Sequence, residues 1–341
     1  MTDSVRRKAA TLSDVADMLG LAPSTISRAL TTPDRVNSAT RERIERAAAD
    51  IGYVSPRAAA STASRTRAVA VLVSDITNPF FFGIIRGTQM QLKAAGYRQI
   101  LVDTEESGEL EAATLTALGT SAVGAVVTAS RLPDADLAAF ADTLPLVAIN
   151  RRPDGVPNIL IDTPGGVAQA LEHLYSLGHR EIVYVSGPVS SWSNERRWKA
   201  LERSAEHLGI TPQRVGPFTP TTAAGAIAAD VALTTGATAC IVFNDLIAIG
   251  MLSRLRERGI GVPGDISIVG CDDIFGADFC NPPLTTLHAP IERAGRVAVS
   301  MLLARIDAGT GDTSERQSVL LPTTLTVRST TGPAPTRKAR R

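Results

Sequence analysis

From Ala68 onwards, the chain alternates between short apolar runs that end in polar residues and stretches of helical periodicity. The apolar runs are AVAVLVSD, RQILVDT, GAVVTAS, LPLVAIN, EIVYVSG, TACIVFND and ISIVGCDD. Continuous apolar runs of this length are typical of parallel strands that are buried on both faces. Helices are predicted between them at residues 82–95, 108–118, 165–177, 197–208, 222–233 and 246–258. This alternation predicts an α/β fold with doubly wound parallel sheets.

The alternating region spans about 250 residues, which is large for one sheet with its helices and therefore predicts two lobes. We expect the chain to cross between the lobes at residues 162–164 and to return near His288 and Ile291. Open α/β sheets bind ligands at the carboxyl ends of their strands. Polar residues stand at these ends and predict an inter-lobe cleft for a small polar molecule: Asp75, Asp103, Ser130, Asn150, Asn244, Asp245, Asp272 and Asp273.

Composition excludes several classes of protein. The chain is 44% apolar and 4% aromatic, which suits a large α/β body rather than a disordered or fibrous one. No apolar run approaches the roughly 20 residues of a membrane span, and the start of the chain lacks the apolar segment of a secretory signal. A cytoplasmic protein without a membrane partner is therefore expected. Cys240, Cys271 and Cys280 form no C-x-x-C pair and are expected to be reduced thiols.

Signals for enzymatic chemistry are not found in the sequence. The string GIGVPG at residues 259–264 follows a predicted helix and precedes a strand, whereas the dinucleotide fingerprint needs the reverse order. There is no P-loop and no G-x-S-x-G elbow. The four histidines, of which His179 is expected to fix a turn, have no metal-ligand spacing. We therefore predict no catalytic residues, no metal, no cofactor and no enzymatic activity.

The N-terminal segment TLSDVADMLGLAPSTISRAL (residues 11–30) carries a different pattern. Its first half has one apolar helical face, and Gly20 then breaks the period before a second helix from Ser24. Two short helices joined by a tight turn that contains Gly form the unit whose second helix enters the DNA major groove. The polar face of that helix suits base edges and phosphates: Ser24, Thr25, Ser27 and Arg28.

A third helix is predicted over TRERIERAAADIGY (residues 40–53), with Thr40 near its start and Gly52 at its end. The net charge of the whole chain is only +1, which argues against binding nucleic acid over its whole surface. Residues 1–67, however, hold eleven Arg or Lys against seven Asp or Glu. A positive excess in this segment is what phosphate contact requires.

These strings resemble a known family in their order and spacing. DVADMLGLAPSTISRAL, VNSATRERI and GY resemble the headpiece of the lactose-repressor (LacI/GalR) family of bacterial transcription regulators. SDITNPFF, SLGHREIVYVSGP, FNDLIAIG and VGCDD…PPLTTL resemble that family's effector-binding core. The resemblance implies a helix-turn-helix headpiece and a two-lobed, doubly wound parallel-sheet core that resembles type I periplasmic binding proteins. It also implies a third lobe crossing near residues 321–323.

The function implied by the resemblance is a homodimeric repressor associated with the nucleoid through DNA. Its two headpieces would read a pseudo-palindromic operator in double-stranded DNA, and a sugar or related metabolite in the cleft would control this binding. The predicted domains are a disordered tail (1–10), a headpiece (11–55), a hinge (56–67), a core (68–330) and a disordered tail (331–341). Within the core, lobe 1 comprises about 68–162 and 291–322, and lobe 2 about 163–290 and 323–330.

The alternative function is that of a solute-binding protein of a transporter, which has a similar two-lobe fold. Such a protein needs a signal peptide, and residues 1–53 offer a headpiece instead.

Residues for DNA contact follow from the same resemblance. Pro23 and Ser24 occupy the family's base-reading positions, and Arg41 is expected at a phosphate. The family places a Leu wedge in the hinge, but the matching position here is Ser61, Thr62 or Ala63, so we expect a less bent operator. The full predicted DNA-binding set is Thr11, Leu12, Ser13, Pro23, Ser24, Thr25, Ser27, Arg28, Asn37, Thr40, Arg41, Arg57, Ser61 and Thr62.

Residues for effector contact are assigned in the same way. Arg197 is expected to open a helix and to hold hydroxyls or a carboxylate in two-point contact, with Arg196 as a competitor for this role. Asn150 stands where the family generally has Asp. Trp192 is expected either to stack on the ligand, to close the cleft or to pack under a loop. The predicted effector-binding set is Asn78, Phe80, Phe81, Asn150, Trp192, Arg197, Asn244 and Asp272.

Overall fold

Three helices make up the described part of the N-terminal unit, Met1–Arg67. They are α1 (Leu12–Leu19), α2 (Pro23–Thr31) and α3 (Ser38–Asp50). The computed structural model describes residues 10–31, 37–51, 53, 67–118, 121–308 and 317–336. Local chemistry explains the start and end of α1. Thr11 and Asp14 form a reciprocal capping box, and Gly20 takes the left-handed conformation (φ 64°) that glycine adopts without a Cβ penalty.

The apolar faces of these helices meet in one small core formed by Val15, Ala16, Ile26, Ala29, Ile44, Ala47 and Ala48. The predicted two-helix unit is therefore present. The bounds of α3 differ from the prediction, because Asn37 caps the helix through a bond from the Ala39 N–H and so starts it at Ser38 rather than at Thr40. The helix ends at Asp50 with Ile51 as its C-cap, next to Gly52, the residue predicted to stop it.

The second unit, Ala68–Arg341, contains two six-stranded sheets. The first sheet holds β1 (Ala68–Val73), β2 (Arg98–Asp103), β3 (Gly124–Thr128), β4 (Leu146–Ile149), β5 (Asn158–Ile161) and β11 (Ser318–Leu321). Their order is β11-β5-β4-β3-β1-β2, and every pairing is parallel. Three of the four predicted strands of this sheet (β1, β3 and β4) are fully buried, as the continuous apolar runs indicate, whereas the edge strand β2 is only partly buried.

The second sheet holds β6 (Ile182–Val185), β7 (Gln213–Val215), β8 (Ala239–Val242), β9 (Ser267–Asp272), β10 (Thr285–His288) and β12 (Thr324–Thr326). Its order is β12-β10-β9-β8-β6-β7, and only the edge strand β12 pairs antiparallel. The chain passes from one sheet to the other after β5, after β10 and between β11 and β12. This architecture confirms the predicted two-lobed parallel-sheet core.

Helices cover both sheets. Those of the first lobe are α4 (Phe80–Ala94), α5 (Gly108–Leu118), α6 (Asp134–Thr143) and α11 (Ile291–Ala308). Those of the second are α7 (Thr163–Ser176), α8 (Trp192–His207), α9 (Thr222–Thr234) and α10 (Asp245–Glu257). The prediction that Arg197 opens a helix is wrong. Ser191 caps α8 through the Asn194 N–H, so α8 begins at Trp192 and Arg197 lies in its second turn.

Part of the segment predicted as a C-terminal tail lies against the second lobe. The backbone of Gly332 donates to Ser267 Oγ (3.1 Å), and that of Ala334 donates to the Leu177 carbonyl (2.8 Å). His179 is buried between Thr238, Ser267 and the Gly332 carbonyl, so it holds this segment in place and has a structural role. Burial lowers the pKa of His179, while its hydrogen bond with the Gly332 carbonyl opposes this shift.

Candidate functional sites

A cleft of about 440 Å³ opens between the two lobes at the carboxyl ends of their strands. Its wall includes seven of the eight predicted effector-binding residues, which the structure brings together from five separate segments of the chain. The lining residues are Asn78, Phe80, Phe81, Glu106, Ala129, Arg131, Asn150, Ser191, Ser193, Arg197, Pro220, Phe243, Asn244 and Asp272. This is where open α/β sheets place their ligands.

Four non-glycine residues of this wall have a positive φ angle. They are Glu106 (φ 58°), Ala129 (φ 50°), Asn150 (φ 56°) and Asp272 (φ 118°), and the last three lie at or directly after the end of a strand. A non-glycine residue with a positive φ angle destabilises the fold by about 1–3 kcal/mol, and it keeps this conformation only where the surrounding structure imposes it. Strain of this kind is concentrated at functional sites, and here it sets the direction of the polar groups at the strand ends.

Arg197 makes several polar contacts in the cleft. Its Nε donates to Thr163 Oγ1 (2.9 Å), and its Nη1 donates to the carbonyl oxygen of Phe243 (2.5 Å). Its guanidinium carbon lies 5.0 Å from the centre of the Phe243 ring. Only 4% of the residue is exposed, so its charge acts in a poorly solvated environment.

Asp272 faces this arginine across a short gap. Arg197 Nη2 lies 3.8 Å from Asp272 Oδ1, which is an ion pair but too long for a direct hydrogen bond. Burial raises the pKa of Asp272 to about 8, while the Arg197 guanidinium opposes this shift and Asp245 adds to it. A carboxyl group held this way accepts hydrogen bonds when ionised and can donate one when protonated.

The three asparagines of the cleft have a common arrangement. Each uses its side-chain oxygen to accept a backbone N–H: Asn78 from Phe80 (3.0 Å), Asn150 from Ile161 (3.1 Å) and Asn244 from Ile247 (3.1 Å). In the described residues, no protein acceptor takes a hydrogen bond from any of the three Nδ2 groups. The amide nitrogens are therefore available as donors to a ligand.

Aromatic rings form the apolar part of the wall. Phe80 and Phe81 pack edge to face with their centres 5.1 Å apart, and both are buried at the start of α4. Phe243 lies on the opposite lobe. Phe82 is half exposed and does not line the cleft. Apolar ring faces beside hydroxyl-binding groups suit a sugar ring or a base.

The structure does not bring Trp192 into the cleft. Trp192 lines a separate depression of about 280 Å³ next to the first lobe crossing, with Asp162, Thr163 and Pro164. The Arg196 guanidinium stacks over its ring at 4.7 Å, so Arg196 also lies outside the cleft wall and Arg197 alone of the two lines it. The expected stacking of Trp192 on a ligand in the cleft is therefore not supported by its position.

Sequence reasoning missed the pair formed by Glu106 and Arg131. Both follow strand ends of the first lobe, β2 and β3, where ligand-binding residues were expected. No pattern in the sequence pairs them, because they are separated by a whole helix and strand. Phe243 was also missed, although it stands directly before the predicted Asn244.

In the headpiece, α2 presents Pro23, Ser24 and Arg28 as exposed residues, whereas Thr25 and Ser27 are partly buried. Ser13 and Arg41 are exposed, and Leu12 packs against the helical core. Thr11 and Asn37 serve as helix caps, and Arg41 Nε donates to Glu45 one turn further on (2.8 Å). The predicted contacts Arg57, Ser61 and Thr62 lie outside the described residues, as does most of the predicted hinge.

In the described ranges, no group of His, Cys, Asp or Glu side chains is arranged to hold a metal ion. The helices of the same ranges include none that is long and apolar enough to cross a bilayer.

Comparison with known proteins gave matches over most of the chain. The family "Bacterial regulatory proteins, lacI family" matches residues 11–55, and "Periplasmic binding protein-like domain" matches residues 171–331. The HTH-type transcriptional repressor CytR of Escherichia coli (strain K12) is 34% identical over 86% of this chain and 89% of its own. The HTH-type transcriptional regulator CelR of Thermobifida fusca is 32% identical over 95% of this chain and 98% of its own.

Two solved structures share this fold. The lac repressor dimer bound to operator and the anti-inducer ONPF has a TM-score of 0.73 and 26% identity, covering 95% of this chain and all of that one. A complex of the transcriptional regulator CelR with cellobiose has a TM-score of 0.68 and 30% identity, covering 94% of this chain and 99% of that one.

Proposed function

Because this chain belongs to the lacI family of bacterial regulatory proteins and is a DNA-binding transcriptional regulator, we propose that it is a homodimeric repressor switched by a small polar effector in the inter-lobe cleft. The effector is a sugar or a related hydroxyl-bearing metabolite. The proposal keeps the predicted boundaries of headpiece (11–55), hinge (56–67) and core (68–330). Its relatives are transcriptional regulators rather than enzymes, and we assign no catalytic activity to it.

The gap between Arg197 and Asp272 is the observation that carries the effector assignment. At 3.8 Å the two side chains are too far apart to bond directly, but one hydroxyl oxygen placed between them can accept from Arg197 and donate to Asp272. Adjacent hydroxyls of a sugar would extend the same contact to Asn150 or Asn244. The related CelR, whose structure was solved with cellobiose, supports a carbohydrate effector.

Binding of the effector can change operator affinity only if it prefers one arrangement of the two lobes. The contacts of Arg197 supply this preference, because its side chain bonds Thr163 at the first lobe crossing and the Phe243 carbonyl at the end of β8. An effector held by Arg197 therefore acts directly on the segment that joins the lobes.

For operator recognition, we propose α2 as the helix that enters the major groove. Its exposed Ser24 and Arg28 can donate to base edges or phosphates, and Pro23 can make only apolar contact, for instance with a thymine methyl group. The proposal also keeps the remaining predicted DNA contacts of the headpiece. The match of residues 11–55 to the lacI family also argues against the transporter-type solute-binding alternative.

For the homodimer, we propose contacts through exposed apolar residues of the core. Phe275 and Phe279 form an edge-to-face pair, 5.0 Å between centres, although they are 79% and 64% exposed. Phe82 and Met90 on α4 are each about half exposed. Burying such side chains against a second copy would remove them from water. We further propose a cytoplasmic location, associated with the nucleoid through the operator.

The test compares two conservative variants on neighbouring positions of α8. Arg197→Lys keeps the charge but loses the fork that bonds Thr163 and Phe243, whereas Arg196→Lys changes an arginine outside the cleft. Sugars and nucleosides are screened by thermal shift on the full-length protein, and operator binding is measured with and without the responding compound.

We expect the effector to change the operator affinity of the wild type and of Arg196→Lys by about tenfold or more, as is typical of allosteric coupling. Arg197→Lys is expected to lose this response. An unchanged response in Arg197→Lys, or its loss in Arg196→Lys, contradicts the assignment of the cleft.

A further inference from the structure

The ionisable groups that line the cleft are paired, each acid with an arginine, and this restricts the class of effector. Four ionisable side chains lie in its wall, and they form two pairs of opposite sign: Glu106 with Arg131, and Asp272 with Arg197. We propose that the cleft selects an effector without a phosphate or carboxylate group, and that Glu106 is the residue that excludes such anions. This inference rests on the function proposed above and specifies its ligand.

Glu106 neutralises Arg131 by close contact. Arg131 Nε donates to Glu106 Oε2 at 2.6 Å, and its Nη2 lies 2.5 Å from the same oxygen. Arg131 Nη1 donates to the carbonyl oxygen of Ala129 (3.0 Å). With its side chain only 7% exposed, Arg131 is committed to these partners. In the described residues no hydrogen bond reaches the second oxygen of Glu106, and 29% of this side chain is exposed, so this oxygen is available to accept from a hydroxyl group and repels an anion.

The surroundings of Glu106 add further negative charge. Asp103 accepts from the Ile76 N–H (3.1 Å), and Asp75 stands at the end of β1. Burial raises the pKa of Glu106, Arg131 opposes this shift, and the charges of Asp75 and Asp103 add to it. In the other lobe, Asp245 lies buried behind Asp272 and accepts from Thr286 Oγ1 (2.6 Å). An anionic ligand would therefore meet carboxyl groups next to the arginine on both walls.

Helix N-termini, which bind phosphate in many proteins, are already capped at this cleft. Asn78 accepts from the first N–H of α4, Ser191 accepts from the Asn194 N–H of α8, and Asn244 accepts from the Ile247 N–H of α10. All three acceptors are side chains of the cleft wall. Their oxygens occupy N–H groups that a phosphate would otherwise use, so these helix starts are less suited to an anion.

What the cleft does offer is matched to hydroxyl groups. Glu106 and Asp272 accept, the amide nitrogens of Asn78, Asn150 and Asn244 donate, and the rings of Phe80, Phe81 and Phe243 cover apolar faces. An uncharged polyhydroxylated molecule uses all of these groups without leaving a buried charge unpaired.

Inorganic phosphate and ribose 5-phosphate are suitable probes, because they test exclusion without requiring the natural effector. Titration calorimetry and thermal shift measure their binding to three full-length proteins: the wild type, Glu106→Gln and the double variant E106Q/R131Q. Chloride keeps the ionic strength matched in all samples. Asp134→Asn is the matched control. It frees Arg151 from a similar ion pair (2.5 Å) outside the cleft wall and changes the net charge by the same amount.

We expect no phosphate or ribose 5-phosphate binding by the wild type or by Asp134→Asn. Glu106→Gln is expected to bind both anions at least about tenfold more tightly than the wild type, because Arg131 gains a free charge-assisted donor. The double variant should lose this gain, which places the anion at Arg131.

Anion binding by the wild type overturns the proposal, even if Glu106→Gln fails to fold. An equal gain in Asp134→Asn also overturns it, because the effect would then follow net charge alone. These measurements contain no operator DNA, so their failure is separate from a failure of the repressor function.

Discussion

Gly187 sets the position of one aromatic wall of the cleft, and replacing it with alanine tests this arrangement. A Cβ on Gly187 would lie 2.4 Å from Cγ of Phe243 and 2.5 Å from both Cδ atoms of that ring. Carbon atoms in contact are normally about 3.5–4.0 Å apart, so the ring must move by about 1 Å. The backbone cannot give way freely, because the Gly187 N–H donates to buried Asn194 (2.9 Å) and the Phe243 N–H donates to Val185 (2.9 Å).

Overpacking of this kind typically lowers the free energy of unfolding by about 1–3 kcal/mol. We expect about 2 kcal/mol for Gly187→Ala, and a weaker effector response because the ring is displaced at the cleft wall. Gly264→Ala is the matched control in the same lobe. Its Cβ would meet no atom within 4 Å, so its effect should stay within about 0.5 kcal/mol.

A double-mutant cycle with Phe243→Ala isolates the cause. Phe243→Ala alone should cost about 3 kcal/mol, and adding Gly187→Ala to it should cost almost nothing, because the ring that clashes is absent. Unfolding in urea is followed through Trp192 and Trp198. If the two single effects add in the double variant, the clash with Phe243 is not the cause and the reasoning is refuted.

Three further predictions concern the pH response, the operator and the helix packing. Because the pKa of Asp272 is raised to about 8, its protonation stabilises the fold fully below about pH 4 and this contribution is lost as the pH rises through 8. The free energy of unfolding of Asp272→Asn and of the wild type is therefore measured at pH 5 and at pH 8. Relative to the wild type, Asp272→Asn should be more stable by a further 2–4 kcal/mol, roughly, at pH 8 than at pH 5. The same difference in stability at both pH values would contradict the raised pKa. Ser24→Ala should change the operator sequence recovered by binding-site selection, whereas Arg41→Ala should weaken all sequences alike. Unchanged preference in Ser24→Ala would count against α2 as the reading helix. Gly250→Ala should destabilise the core by about 3 kcal/mol or more in the same urea assay, because its Cβ would lie 2.0 Å from the Thr222 carbonyl oxygen of α9. A loss below about 1 kcal/mol would show that α9 and α10 separate readily.

Local features of the headpiece could be read from the sequence because neighbouring residues create them. The end of α1 depends on Gly20, and the packing of α1 against α2 follows from apolar residues three and four positions apart. The start of α8 differs from the prediction because Ser191, which accepts from the Asn194 N–H, caps the helix ahead of Arg197. The cap at Asn37 was likewise overlooked in favour of Thr40 as the start of α3.

The sequence by itself determined the classes of element, the two-lobed parallel architecture and most of the effector cleft, since strand ends carry the ligand-binding groups of such sheets. Tertiary structure alone decided which of these groups meet. β11 pairs with β5 across more than half of the core, and Glu106 reaches Arg131 from a different strand end. Tertiary structure also separated Arg197, which lines the cleft, from Arg196, which stacks on Trp192 outside it. The physical reason is that helical and strand periodicity act over a few residues, whereas the pairing of buried charges depends on atoms that only the complete fold brings together.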